Sequence, residues 1–277
     1  MTSTFSIGDR DTAPITLTAL EFDVLWEHLR LGALPLVVKV PSPGRTFEER
    51  ADIETRVWAG LEARGLGRPV DVNPDIADLL AVLARPEREV DVRAHIGRDV
   101  RVLAASSSEG AAGAEGAAVA ELSEGSVTLR SASASGLASA ALAVLPPSAA
   151  GPGRSVTLRT EDFESAANRA GGTREGFEQA LLAGGLRGDD ATVLAEMIKD
   201  VAHMGNLGAA ARDRLGRRHR APRVVSFFDT EDGRYVQVRR PSDDGTLWTT
   251  ISPADLRRLT HHVGELLDEV IAVAEQR

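Results

Sequence analysis

The sequence predicts an α+β protein with a central antiparallel β-sheet flanked by helix groups. Segments that alternate polar and apolar residues occur in runs in both halves of the 277-residue chain, joined by turns of a few residues. Strands joined that tightly pair antiparallel, because a parallel pair needs a crossover of a dozen residues or more. Amphipathic helical stretches gather before and after these runs, which is the α+β pattern and not an alternating βαβ one. The element order is similar in residues 1–150 and 151–277, without a visible residue repeat. That order hints at an internal pseudo-repeat within one compact domain.

The first helix is expected from Thr18, where Thr18-Ala19-Leu20-Glu21 forms a capping box and Leu17 and Phe22 are placed as a hydrophobic staple. Phe22, Leu25, Trp26 and Leu29 then share one helical face, and Gly32 and Pro35 stop it. Leu36 to Val40 is short and β-branched and predicts a strand ended by Pro41-Ser42-Pro43-Gly44. A weaker helix spans Thr46 to Arg64. Asn73-Pro74 opens another, with Asn as cap and Pro at the first helical position, followed by Ile76, Leu79, Leu80 and Leu83 on one face. Strands follow at Glu89 to Arg93 and Asp99 to Val102 around the tight turn Gly97-Arg98-Asp99, then at Ala118 to Leu122 and Ser126 to Arg130. A Ser/Ala/Gly loop, Ser106 to Gly116, lies between these pairs. A small-residue helix near Ala134 to Val144 closes the half, and Pro146-Pro147 through Pro152-Gly153 is the expected linker.

The second half starts with a strand, Arg154 to Arg159, and a helix capped by Thr160 with Glu161 and Asp162 in its first turn. Helices are expected over Arg174 to Ala183 and Asp190 to His203, the latter with Val193, Leu194, Met197, Ile198 and Val201 on one face. Strands return at Arg223 to Asp229, Gly233 to Arg239 and Thr246 to Ile251, joined by Asp232-Gly233 and Asp244-Gly245 hairpin signals. Ser252-Pro253-Ala254-Asp255 predicts a Ser-capped last helix whose stripe is Leu256, Leu259, Val263, Leu266, Leu267, Val270 and Ile271.

Composition excludes several functions. The chain has no cysteine, so disulfides, thiolate nucleophiles, Fe–S clusters and Cys zinc sites are ruled out. Its 32 Lys+Arg against 41 Asp+Glu give a net charge of −9, which argues against a nucleic-acid binder. Met1 to Asp11 has no apolar run of a signal peptide, and no stretch is long enough to span a bilayer, so a cytoplasmic protein is expected. Walker, G-x-G-x-x-G, H-E-x-x-H, EF-hand and G-x-S-x-G patterns are all missing.

The histidines suggest no metal site. His261-His262 point about 100° apart on a helix, and His28 and His203 lack acidic or His partners at ligand spacing. His95 and His219 read as surface groups. Asp189-Asp190 precede a helix and suit capping, and Asp243-Asp244 belong to a turn. The one unusual charge feature is the run Arg212, Arg214, Arg217, Arg218, His219, Arg220 and Arg223. It is either a solvated helix end or a contact for an acidic partner; nucleic acid is disfavoured because no aromatics interleave the arginines. No cofactor is implied and no catalytic residue stands out.

Val224 to Thr230, Asp232-Gly233-Arg234-Tyr235, Ser242-Asp243-Asp244-Gly245 and Trp248 to Pro253 resemble the EspG family, the ESX (type VII) secretion-associated proteins of actinobacteria. Leu17-Thr18 with Trp26, Leu34-Pro35-Leu36, the Val90 to Leu103 hairpin and the Leu142 to Gly153 segment agree in layout. The resemblance covers about Thr16 to Val270. It implies a quasi-two-fold fold with a central antiparallel sheet and two helical bundles. It also implies a cytosolic chaperone, not an enzyme, that binds the helical tip of a PPE protein in a PE–PPE heterodimer and keeps it soluble for export. Placed here, the implied partner contacts are Gly97, Arg98 and Asp99, the helix with Met197, Val201 and Met204, and Arg217, Arg218 and Arg220. Core packing is the competing reading for Met197 and Met204. A monomer or homodimer is expected. An oligomeric scaffold or regulatory protein, and less so a small-molecule enzyme, are the other readings the sequence allows.

Overall fold

The computed structural model describes residues 13–107 and 116–276. Met1 to Asp11 and the interior of the Ser106 to Gly116 loop lie outside the described residues. The chain forms two compact units. The first gathers the residues up to Glu89 and from Arg101 to Ala141; the second gathers Val90–Val100 and the residues from Leu142 on.

The first unit opens with strand β1 (Ile15–Thr18), followed by helices α1 (Ala19–His28), α2 (Phe47–Ala63) and α3 (Pro74–Ala84), with a two-strand ribbon β2 (Gly67–Arg68) and β3 (Asp71–Val72) before α3. After β4 (Arg88–His95), which from Val90 on belongs to the second unit, the first unit continues with β5 (Asp99–Ser107), β6 (Gly116–Ser123), β7 (Ser126–Ser131) and helix α4 (Leu137–Leu142). Within this unit the strand order is β1-β7-β6-β5. Thr18 caps α1 as expected: its Oγ1 accepts from Glu21 N at 3.1 Å while Glu21 Oε2 accepts from Thr18 N at 2.8 Å. Thr46 and Glu49 repeat the same box at α2. Glu124 and Gly125 both take positive φ (49° and 77°) in the β6–β7 turn, the geometry that matches strand twist in a two-residue hairpin loop. The core is Leu17, Phe22, Leu25, Trp26, Leu61, Ile76, Leu80, Leu83, Leu103 and Leu129 with their neighbours.

One element of this unit differs from expectation. Leu36 to Val40 is not a strand: Leu36–Val38 is a 3-10 turn closed by Val38 N donating to Pro35 O at 3.1 Å. Val37, Val38 and Val40 are buried in the core. Their β-branched character serves packing, and Pro35 before the segment and Pro41 after it lack the amides that would extend a ladder past either end.

The second unit holds β8 (Val156–Arg159), α5 (Thr160–Arg169), α6 (Arg174–Ala183) and α7 (Gly188–Met197). Then come β9 (His203–Arg212), β10 (Arg218–Arg220), β11 (Val225–Thr230), β12 (Gly233–Pro241), β13 (Leu247–Pro253) and α8 (Leu256–Glu275). Its strand order is β4-β9-β11-β12-β13-β8, with β10 paired to β9. Phe177, Leu181, Leu194, Met197, Phe228, Tyr235 and Ile251 form the core between α5–α7 and one face of the sheet. Helix α8 buries Leu259, Val263, Leu266, Val270 and Ala274 and packs on β9, β10 and β11.

Five expectations are corrected here. The helix expected over Asp190 to His203 ends at Met197, because Asp200 takes a left-handed φ of 48° and Ala202 N donates to Asp229 O, turning the chain into β9. His203 and Met204 are therefore strand residues. Asp189 and Asp190 stand inside the first turn of α7 without capping it, and Asp190 pairs with Arg154. Thr160 does not cap α5; its hydroxyl lies 2.8 Å from Thr249 Oγ1. Ser252 and Pro253 are the end of β13, opposite Val236 and Tyr235, and the cap of α8 is Asp255, whose carboxylate accepts from Arg258 N at 2.7 Å. Residues 146–152 do not hang free as a linker. Arg234 N donates to Ala149 O, Gly151 N donates to Arg234 O, Arg234 Nη2 donates to Pro146 O and Tyr235 Oη donates to Pro152 O. Arg234, with no exposed surface, also binds both oxygens of Asp229 and so bolts this segment to β12.

Candidate partner-binding surface

Every residue singled out as a partner contact lies in the second unit. The long central strand β9 organises them. Alternation puts Met204, Asn206, Gly208, Ala210 and Arg212 on one face of the sheet. Cross-strand partners point the same way, which adds Arg220 opposite Ala210, Arg218 opposite Arg212, and Phe228 opposite Met204. The opposite face, with Phe227 and Val225, receives α8.

β4 runs beside β9 in the opposite direction. A side chain at Gly205 would meet Arg93 O and Ala94 Cβ, and one at Gly208 would meet Asp91 Oδ2. The Gly97-Arg98-Asp99 tip therefore lies at the His203 end of β9. The tip is closed by Ile96 N donating to Arg98 O at 2.9 Å, Gly97 has φ 77°, and Asp99 Oδ1 lies 2.9 Å from His95 Nδ1. At this same end Met204 is 54% exposed, a large apolar side chain left in water. Val201 packs half-buried against the core cluster that contains Phe228. Met197 belongs to that core outright: it is 2% exposed and seated against Gly153. Core packing is thus what Met197 does, whereas Met204 is open to solvent.

Asn206 continues the face, its Oδ1 accepting from Ser226 Oγ at 2.7 Å. Over Gly208 lies a bidentate ion pair, Arg220 Nη1 to Asp91 Oδ2 at 2.5 Å and Arg220 Nη2 to Asp91 Oδ1 at 3.1 Å. Asp91 is buried and Arg220 partly exposed, so Arg220 neutralises a desolvated carboxylate before it meets any partner. Gly208 is a signal the sequence reading missed, as is Asp91, whose place in an alternating strand disguised it as an outward polar group.

The arginine run is a β-hairpin, not a helix end. Arg212 closes β9, residues 213–217 turn, and β10 returns. Asp213 builds this turn: its Oδ1 accepts from Leu215 N and Arg217 N at 2.9 Å each, and its Oδ2 lies 2.9 Å from His219 Nε2. The His219 contact, with the backbone amides, holds the Asp213 carboxyl below the ordinary carboxylate range. Arg212 Nη1 braces the loop through Gly216 O at 2.7 Å. The turn presents Leu215, 70% exposed, between Arg214 and Arg217, neither of which has a carboxylate partner among the described residues.

Of the expected contacts, Met204, Arg218 and Arg220 share one sheet face, with Met204 at one end and the arginines at the other, whereas Met197 is in the core. Met204 and Arg212 are eight positions apart on β9, roughly 26 Å at ~3.3 Å per residue. The histidines find ordinary partners: His28 stacks edge-on against Trp58, His203 lies 3.3 Å from Asp229, and His261 and His262 both face Glu265. His203 thus has an acidic neighbour that its sequence context did not show. Among the described residues no group of three or more His, Cys, Asp or Glu could hold a metal ion. A cavity of about 530 Å³ near the start of α8, lined by Ala150, Pro253, Asp255, Arg257, Arg258 and His261, and another of about 230 Å³ beside β8 and Trp248, both lie apart from this face. No helix among the described residues is long and apolar enough to cross a membrane.

This α+β chain has counterparts of known family and fold. The sequence model of the EspG family matches residues 18–265, and the chain belongs to that family. Among solved structures, the Mycobacterium tuberculosis type VII secretion system chaperone EspG5, in complex with a PE25–PPE41 dimer, superposes with a TM-score of 0.70 over 92% of this chain and 96% of that one, at 17% identity. At that identity the likeness is one of fold. A search of the curated proteins finds no significant match.

Proposed function

We propose that this chain is a cytoplasmic type VII secretion chaperone that binds a PE–PPE-like helical substrate and keeps it soluble and export-competent, without catalysis. Family membership over residues 18–265 carries the reading. The open face of the second unit supports it: an amphipathic helical end can lay apolar residues over Met204 and Val201, beside the Gly97–Asp99 tip, while Arg217 and Arg218 meet its polar flank. A thioether is suited to such a place, being flexible and polarisable enough to repack around a partner. Covering an apolar tip that would otherwise associate with its own kind lowers a cargo's tendency to aggregate. The test is co-expression of the chain with a candidate PE–PPE pair. The soluble yield of the pair rises with the wild-type chain and falls back with Met204→Asp; an equal yield with and without the chaperone refutes the solubilising role.

A further inference from the structure

We infer that the partner is a bipolar helix: an apolar tip seated at Met204 and a cluster of carboxylates about 26 Å away, held by the Arg212–Arg218 hairpin. This rests on the proposed chaperone reading and adds the partner's charge pattern and its direction along β9.

The first observation is the polarity of the face. Its His203 end carries an exposed apolar side chain, and its Arg212 end carries five arginines and one aspartate within residues 212–220. In a chain of net charge −9 this hairpin is a local reversal of sign. Asp91 answers Arg220, but Arg214 and Arg217 have no carboxylate partner among the described residues. Both guanidinium groups are exposed and therefore open to the carboxylates of another molecule.

The second observation is that the hairpin is built to be stiff. Asp213, with little exposed surface, uses both carboxylate oxygens to hold the amides of Leu215 and Arg217 and the ring of His219. An Asp that accepts from amides of its own turn is ordinary turn chemistry, and here it also fixes Arg214, Leu215 and Arg217 in place. Ordering them beforehand removes an entropic cost from binding. Leu215 between two cations suits a helix that carries an apolar residue among its acids.

The third is continuity. Between the two ends the face holds exposed Asn206 with Ser226, then the Asp91–Arg220 pair lying over Gly208 beside the buried Ala210; among the described residues no helix of this unit covers Met204 or Asn206. A helix rises ~1.5 Å per residue, so 26 Å corresponds to about seventeen residues from apolar tip to acidic cluster.

The experiment uses two synthetic, amidated, Ala-rich 24-residue helices. Both carry Leu-Leu-Phe in the first turn; the first carries three glutamates seventeen residues further on, the second only eight residues further on. Binding to the full chain is followed by fluorescence anisotropy at low and high salt. The first helix binds at least fivefold tighter than the second at low salt. The advantage disappears in high salt and in the double variant Arg214→Glu/Arg217→Glu, which loses about tenfold for the first helix. Leu215→Ser, which leaves the charges in place, weakens the first helix more than the second. Equal affinity of the two helices, or an advantage that survives Arg214→Glu/Arg217→Glu, overturns the inference alone, provided Met204→Asp weakens both. If Met204→Asp changes neither, the chaperone reading of this face falls with it. Vesicles of phosphatidylserine and phosphatidylcholine are the remaining arm: binding of vesicles through Arg214 and Arg217 in preference to the first helix also overturns the inference.

Discussion

Substituting Gly208 by alanine tests how the centre of the open face is held together. The new Cβ would stand 2.2 Å from Arg220 Nη2 and 2.7 Å from Asp91 Oδ2. Relief needs the guanidinium to retreat by about 1 Å or more. That breaks the 3.1 Å bond from Nη2 to Asp91 Oδ1 and strains its 2.5 Å companion. A hydrogen bond to a charged group contributes about 1.5–3 kcal/mol, but Arg220 is 42% exposed in its side chain and water replaces part of the loss. Alanine also recovers about 0.5–1 kcal/mol of backbone entropy relative to glycine in a strand. The net expectation is a loss of about 1–2 kcal/mol, a fall in Tm of roughly 2–8 °C for a body of this size. Differential scanning calorimetry on Gly208→Ala, Arg220→Ala and the double variant measures it. Because both single changes break one ion pair, the double variant should be little worse than either alone. Strict additivity, or a Gly208→Ala protein more stable than the wild type, refutes the claim that Gly208 exists to seat the Asp91–Arg220 pair.

Two further outcomes follow from the second unit. Gly151→Ala places a Cβ 2.2 Å from the Tyr235 ring, which is buried and stacked on Phe228. Overpacking of this kind costs about 1–3 kcal/mol; protease sensitivity within residues 146–152 should rise with the loss of stability, and unchanged sensitivity contradicts the bolted-segment description. Asp213 has its folded pKa depressed, first by the His219 hydrogen bond. Its contribution is therefore present above the ordinary carboxylate pKa of about 3.9 and lost as pH falls through the lower folded value. Urea midpoints of wild type and Asp213→Asn should differ near neutrality and converge toward acid pH; a constant gap contradicts this.

Local chemistry was legible in the sequence, and tertiary compensation was not. The Thr18 box, the Asn73-Pro74 start and the Asp-Gly turns are decided by atoms a few residues apart, and the structure has each of them. β9 could not be read because its identity depends on neighbours far along the chain. Gly205 and Gly208 look like helix breakers, yet each is small because Phe227 and Ala94, or Arg220 and Asp91, occupy the place of a side chain. Ser252-Pro253 imitates a helix start because cap and turn residues are also acceptable at the end of a strand, and the ladder to β12 wins. The two ends of the candidate surface were both visible as residue types, Met204 and the arginines. Their separation was not, since it follows from β9 being extended where a helix was expected.

The most direct test of the central claim is isothermal titration of the purified chain with a purified PE–PPE heterodimer. The account predicts saturable one-to-one binding, weakened at least tenfold by Met204→Asp and unchanged by Phe47→Asp, a substitution at an exposed apolar residue of the other unit. Binding that Phe47→Asp abolishes and Met204→Asp spares would contradict it.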